Sequence, residues 1–470
     1  MVRVNRPTRG RPLATKSGGT ASTHLARSVR GNDRGGAYVE RILSSELSQH
    51  VGERVRLAGW LHNQRQLSAL TFVVLRDRAG IAQVVVEGSA ISDVATLLPE
   101  TVLEVEGDVV LSPQAPGGAE VVRPQFRVIS APTELPSIEL SRRTLKEQLP
   151  TILDRAPIAL RHPRQRAAFV IAAASVAGFR AALDGLGFTE IQTPKLVGTA
   201  TESGANVFAV DYFGRPAYLA QSPQFYKQML VGVFERVYEV GPVFRAEPHD
   251  TVRHLAEYTS LDAEIGFIED HLEVMAFARE AIAGMTSAIG DRAERAMGLL
   301  GLKLPVVPAH IPVVDFTEAQ AMIEAATGEH VVGEPDLAPA HERWLGNWAQ
   351  LEHGSDFLFV TGYPMVKRPF YTHPDPARPA ISNSFDLLFR GLELMTGGQR
   401  LHRYEDYVSA LAARDQAVEP LESYLQAFRA GMPPHGGFAI GLERWTARVT
   451  GAVNIREVRL FPRDLNRLTP

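Results

Sequence analysis

The chain has 470 residues, about three times the usual length of one domain, so two separately cored domains are expected. With 45% hydrophobic and 22% charged residues, and no unbroken apolar run approaching 18 residues, it reads as a globular chain with no membrane span. The lack of any cysteine excludes a disulfide framework and a thiolate metal centre and suits a reducing cytoplasm, while a formal net charge of −4 leaves any RNA contact to local patches.

Residues 1–36 carry eight Lys or Arg (Arg3, Arg6, Arg9, Arg11, Lys16, Arg27, Arg30, Arg34) against the single acid Asp33, among many Gly, Ser and Thr. Such a stretch is expected to be disordered. It reads as a solvated tail or the product of a misplaced start, as a loose RNA-binding arm, or as an Arg-rich transit peptide.

Residues 37–132 then show five short alternating stretches, Arg54–Leu61, Thr71–Asp77, Ala82–Glu87, Thr101–Leu111 and Ala119–Ile129, separated by Gly- and Pro-bearing turns. The period of two predicts strands, and five strands in so short a span suggest a small closed barrel of the OB type. A polar linker is expected over 133–163, and a second domain over 164–470. That second domain opens with an apolar helix, Arg164 to Leu186, and a short strand ending at Pro194. A hairpin follows: Arg236 to Glu247 ends in Phe244-Arg245-Ala246-Glu247, a polar loop leads to Arg253-His254-Leu255, and Tyr258–Phe267 returns. Near the end, Gly436-Gly437-Phe438-Ala439-Ile440-Gly441-Leu442-Glu443-Arg444 runs from a strand into a helix. The span from Gly290 to Ser382 shows only mixed helices and strands with Pro-rich turns.

These three segments, in this order, resemble the three signature motifs of class II aminoacyl-tRNA synthetases. A barrel placed before them resembles subclass IIb, and Gln221-Ser222-Pro223-Gln224-Phe225-Tyr226-Lys227, Gly397-Gly398-Gln399-Arg400 and Leu460-Phe461-Pro462-Arg463-Asp464 resemble the archaeal-type aspartyl-tRNA synthetases. The resemblance covers about residues 38–470. It implies an α+β chain: an N-terminal OB-fold β-barrel that meets the anticodon, plus a catalytic domain of antiparallel sheet flanked by helices.

The implied reaction joins two anions, a carboxylate and ATP, so cations must hold them together. By resemblance Arg245 bridges the α-phosphate and the substrate carboxylate, Arg444 holds the γ-phosphate, Glu247 contacts adenine, and Arg253, His254 and Leu255 close over the nucleotide beside Gly441, Leu442 and Glu443. Glu393 and Asp386, with Thr396, are the implied Mg²⁺ site, hard oxygen donors as that ion requires. Lys227 and Arg400 are implied to hold an aspartate side chain, Gln224 and Thr396 to frame it, and Glu202 to take its α-amino group. On the barrel, Phe72 is the implied stacking platform and Arg65 and Gln83 the polar contacts to the anticodon. His62 and Pro116 stand where enzymes restricted to the aspartate tRNA tend to carry Trp and Lys, which implies charging of both tRNA(Asp) and tRNA(Asn), and hence a hand-off to a tRNA-dependent amidotransferase. The resemblance further implies a homodimer formed through Arg164–Pro194.

Three departures stand out: Ser68-Ala69 in place of a Gly-Gly, Pro248 in the second motif's loop, and the extension 1–36. Three rivals remain at this stage. An asparaginyl-tRNA synthetase is expected to lack Lys227, a tRNA-independent asparagine synthetase needs no barrel, and a non-catalytic RNA-binding paralogue tends to lose Arg245, Arg444 or Glu393.

Overall fold

The structure, a computed structural model, describes residues 39–199 and 206–469. The basic extension 1–36 and Glu202 lie outside the described residues.

Strands β1 (Arg54–Gln66), β2 (Leu70–Arg76), β3 (Ile81–Glu87), β4 (Val102–Leu111) and β5 (Ala119–Ser130) close on themselves in the order β1-β2-β3-β5-β4. Alternation drives the closure. Val55, Leu57, Leu61, Val73, Leu75, Val84, Val86, Leu103, Val105 and Val121 point inward into one core, and the residues between them face out. All five expected strands are present, within a few residues of their expected limits.

The helix Pro163–Gly185 buries Ala167, Ile171, Ala174, Gly178, Phe179 and Leu183, the stripe expected of one helical face. It lies directly on the helix His271–Leu300. A Cβ at Gly178 would stand 2.3 Å from the Gly284 carbonyl oxygen, and one at Gly284 would stand 2.6 Å from the Ala182 side chain, so two glycines set that close approach. The helix Pro163–Gly185 contains an 18-residue window of mean hydropathy 1.5, long and apolar enough to cross a membrane, although no single run of apolar residues is that long. Here half of that window is buried within the protein, much of it against the second helix.

The second domain is built on eight strands. They are β6 (Thr189–Glu190), β10 (Arg236–Phe244), β11 (Glu257–Gly266), β12 (Val313–Asp315), β13 (Phe357–Thr361), β14 (Ser384–Phe389), β15 (Glu393–Arg400) and β16 (His435–Gly441). Their order is β12-β13-β14-β15-β16-β11-β10-β6, antiparallel except at the two outer pairs. A separate three-stranded sheet holds β7 (Leu196–Val197), β8 (Ala209–Tyr212) and β9 (Arg215–Leu219). The illegible span 290–382 proves to supply the outer strands β12 and β13 with two covering helices, Phe316–Thr327 and Pro339–His353.

The barrel is tied to the linker by a buried charge cluster. Glu100 accepts from Arg76 Nη2 at 2.8 Å and from Arg161 Nη1 at 3.1 Å, and both Arg76 and Glu100 are nearly fully buried. Removing one member of a buried pair strands the other, at a cost of about 3 kcal/mol or more. Glu100→Ala is therefore expected to lower the calorimetric melting temperature clearly more than Glu53→Ala, a change at an exposed acid whose ion-pair partner among the described residues is His50; equal shifts would show that the cluster adds nothing.

A candidate active site between the three motifs

The strand ends of β10, β11, β15 and β16 meet over a cavity of about 420 Å³. Its lining carries six cations, Lys227, Arg245, Arg253, Arg368, Arg400 and Arg444, against four carboxylates, Glu247, Asp262, Glu393 and Glu443. The excess of positive charge suits anionic ligands. Gln224, His254, Leu255, Thr396 and Gly441 line it as well. Two candidates do not: Leu442 packs on the domain core, and Asp386 lies behind the wall, held by Arg368.

At the floor, four charges are buried together. Lys227, in the first turn of the helix Gln224–Phe234, places its ammonium 3.1 Å from Asp262 Oδ1 and 3.2 Å from Glu264 Oε2. Those carboxylate oxygens pair with it as charges but receive no aligned hydrogen bond; the ammonium donates instead to the carbonyls of Ala263 (3.4 Å) and Phe438 (3.2 Å). Arg400 donates to Glu264 Oε1 and to the Gly437 carbonyl, both at 3.0 Å. Burial alone would raise the Glu264 carboxyl, but Arg400 and Lys227 outweigh it and hold it below the usual carboxylate range. Gly437 makes this packing possible, because a Cβ there would stand 2.0 Å from Glu264 Oε2.

A neutral hydrogen-bonded layer lies underneath. Gln228 donates to Tyr407 Oη and His435 Nε2, and accepts from Gln224 Nε2 and Tyr424 Oη, all at 3.0 to 3.1 Å. His435 thus accepts at Nε2 and donates from Nδ1 to the Pro433 carbonyl at 2.9 Å, the pattern of a neutral ring.

Toward the mouth, the Arg245 guanidinium sits 5.7 Å from the centre of the Tyr258 ring, and His254 lies 3.8 Å from Glu247. Glu443 accepts from the Thr259 amide and pairs with Arg459 at 2.9 Å, which locks the third motif onto the second. Arg444 Nη1 donates to the Glu393 carbonyl (3.1 Å) and approaches its carboxylate (3.3 Å). Asp386 and Thr396 face each other across β14 and β15, and Glu393 lies close enough to raise Asp386. Burial is the main reason that the Asp386 carboxyl is pushed up to about 6, with Arg368 opposing the rise. Two carboxylates and a hydroxyl are a hard donor set, fitted to a divalent ion that takes its other ligands from phosphates and water. Among the described residues no group of three or more His, Asp or Glu side chains could hold a metal alone.

Sequence reading missed Asp262, Ser260, Tyr258, Arg368 and Tyr371 in this lining. Asp262 and Glu264 alternate along β11, and that spacing of acids was the available signal.

On the barrel, Arg65, Phe72 and Val85 are successive cross-strand partners, and Asn63, Val74 and Gln83 form the next row. Phe72 is half-buried, Arg65 exposed, and Gln83 donates to Glu120 at 2.7 Å. His62 sits in a β-bulge and accepts from Arg76 Nη1 at 3.1 Å; burial, then the Arg76 charge, lower its pKa to about 4. Pro116 begins a short turn, Pro116–Gly118, that packs near β3.

The family model described as tRNA synthetases class II (D, K and N) matches residues 149–465, and that of the OB-fold nucleic acid binding domain matches 55–129. The chain belongs to the class II tRNA synthetases. It is similar to an aspartate–tRNA(Asp/Asn) ligase of Deinococcus radiodurans, 47% identical over 92% of this chain and 99% of the relative, and to one of Thermus thermophilus, 46% identical over 92% and 100%. Among solved structures, an asparaginyl-tRNA synthetase from Pyrococcus horikoshii complexed with asparaginyl-adenylate matches with a TM-score of 0.85 at 30% identity, covering 92% of this chain and 100% of that one. The protein is therefore an aminoacyl-tRNA synthetase, whose partner is tRNA and whose family uses ATP and a divalent metal ion.

The neutral His435 has a consequence for pH. Burial lowers its pKa from 6.5 to about 4, so below pH 6.5 the unfolded chain takes up a proton that the folded chain refuses. Stability contributed by this histidine is intact above pH 6.5 and is lost as pH falls toward 4. Melting temperatures from pH 7.5 to 5 should decline less steeply in His435→Gln than in the parent; parallel declines would refute the assignment.

Proposed function

We propose that the protein attaches L-aspartate to tRNA(Asp) and also to tRNA(Asn), through an aspartyl-adenylate. The observation that carries the aspartate reading is the burial of Lys227 and Arg400 together at the floor of the cavity. Both are already paired with Asp262 and Glu264, but once the substrate's α-ammonium engages one of those acids a β-carboxylate restores the balance and a neutral amide does not. The overall likeness to an asparaginyl enzyme favours the second reading, asparagine as substrate, but the buried Lys227 argues against it.

In this reading the α-carboxylate of aspartate attacks the α-phosphorus of ATP, the bond to pyrophosphate breaks, and Arg245 neutralises the charge shared by both reactants. Glu247 orders the adenine, while Arg253, His254 and Arg444 hold the outer phosphates. The 3′-terminal hydroxyl of tRNA then attacks the adenylate carbonyl and AMP leaves. Glu393 and Asp386, with Thr396, would hold Mg²⁺, which supplies charge neutralisation at the phosphates when bound. Asp262, which lines the cavity, is a further candidate partner for the α-ammonium beside Glu202, which the resemblance implies for that role. Phe72, Arg65 and Gln83 would read the unstacked anticodon.

The dual tRNA range rests on His62 and Pro116, and on relatives whose names carry both tRNAs. It makes a tRNA-dependent amidotransferase the consumer of the mischarged product. A homodimer through the first motif and a cytoplasmic location complete the proposal.

Charging of aspartate and asparagine tRNA transcripts with radiolabelled aspartate tests it. Aspartate on both is expected; the double variant His62→Trp, Pro116→Lys should keep the first and lose the second about tenfold or more, one mismatched contact being worth ~1–3 kcal/mol. Charging of tRNA(Asp) alone by the parent would sink the dual range.

A further inference from the structure

Arg368 stands apart from the other cations of the cavity. Its Nη2 donates to Asp386 Oδ1 at 3.1 Å, and its guanidinium lies 4.1 Å from the centre of the Tyr363 ring. Its Nε is buried and meets no hydrogen-bond partner among the described residues. The side chain is 11% exposed and that of Asp386 is 8%, so water screens the pair little. The backbone is fixed as well, because Arg414 Nη2 donates to the Arg368 carbonyl at 2.9 Å.

Asp386 pairs across the sheet with Thr396, whose hydroxyl donates to Glu393 at 3.4 Å, and Tyr363 and Glu393 lie near enough to act on the Asp386 charge. A divalent ion bound here would need a lone pair on Asp386. Arg368 occupies one of that group's two oxygens, and two cations crowded onto one buried carboxylate repel each other.

We propose that Arg368 is the resident counter-cation of this metal site: it neutralises Asp386 while no metal is bound and releases it as the ion enters. This rests on the reading of Asp386 and Glu393 as metal ligands. The released guanidinium turns an edge with a free Nε toward the cavity, a fork that fits a phosphate oxyanion. Metal and nucleotide phosphate therefore favour each other, since the ion frees the arginine and the phosphate gives it a new partner. Arg368 is a positioning residue in this scheme. Its exchange keeps the cavity's charge balanced in both states.

Binding of Mn²⁺ to the full chain without nucleotide, followed by electron paramagnetic resonance at pH 8, tests this apart from catalysis. Arg368→Gln should tighten Mn²⁺ about tenfold, as expected when a hydrogen-bonded charge partner is withdrawn, and should shrink the gain in Mn²⁺ affinity that a non-hydrolysable ATP analogue gives the parent. Asp386→Asn should weaken Mn²⁺ in the same assay. If Arg368→Gln leaves Mn²⁺ binding unchanged or weaker while Asp386→Asn weakens it, the counter-cation is refuted and the metal ligands stand. If Asp386→Asn has no effect, the metal reading itself fails. Should Arg368→Gln melt at the assay temperature, Arg368→Lys, which loses the stacked fork, decides: tighter Mn²⁺ supports the exchange, and unchanged binding refutes it.

Discussion

The site depends on four charges sealed under one cavity: Lys227 and Arg400 against Asp262 and Glu264. Burying charge is expensive, and a set of this kind persists only when every member is paired. The helix Gln224–Phe234 supplies the lysine, β15 the arginine and β11 both acids, so three elements distant in sequence must dock in register before any charge is satisfied. Because the set is balanced as it stands, a ligand that brings a carboxylate has to bring an ammonium too. A zwitterionic amino acid with an acidic side chain does both, which is the chemical sense of the aspartate reading.

The surrounding fold keeps that set dry and fixed. Gly437 lets β16 approach Glu264 more closely than any other residue could, and the Gln228 layer gives Gln224 a single amide orientation without adding charge. Arg459 and Glu443 tie the third motif to β11, so the phosphate side of the cavity is braced independently of its floor. The long apolar helix buried on His271–Leu300 supports the sheet from behind.

Much of this was legible because the motifs that carry Arg245, Glu393, Arg400 and Arg444 resemble those of a known family, and the cavity gathers all four. The barrel was legible because period-two alternation survives in each strand. Asp262 and Glu264 were passed over because two acids on one strand look like a solvated face; only the antiparallel pairing of β11 with β16 shows that both are enclosed. Arg368 was invisible for a different reason, since its partner Asp386 lies 18 residues on and reaches it through a folded loop. The apolar helix holds no unbroken run of 18 apolar residues, because a few polar residues are scattered among its alanines, yet its average hydropathy stays high. The outer strands β12 and β13 are short and flanked by prolines, which blurred their pattern.

The most direct measurement is ATP–pyrophosphate exchange, without tRNA, driven by aspartate or by asparagine, in the parent and in Lys227→Met. The account predicts exchange with aspartate, little with asparagine, and a loss of about a hundredfold or more in the variant, as an unpaired buried carboxylate would impose. Exchange driven equally well by asparagine, or a Lys227→Met enzyme that activates aspartate as well as the parent, would contradict it.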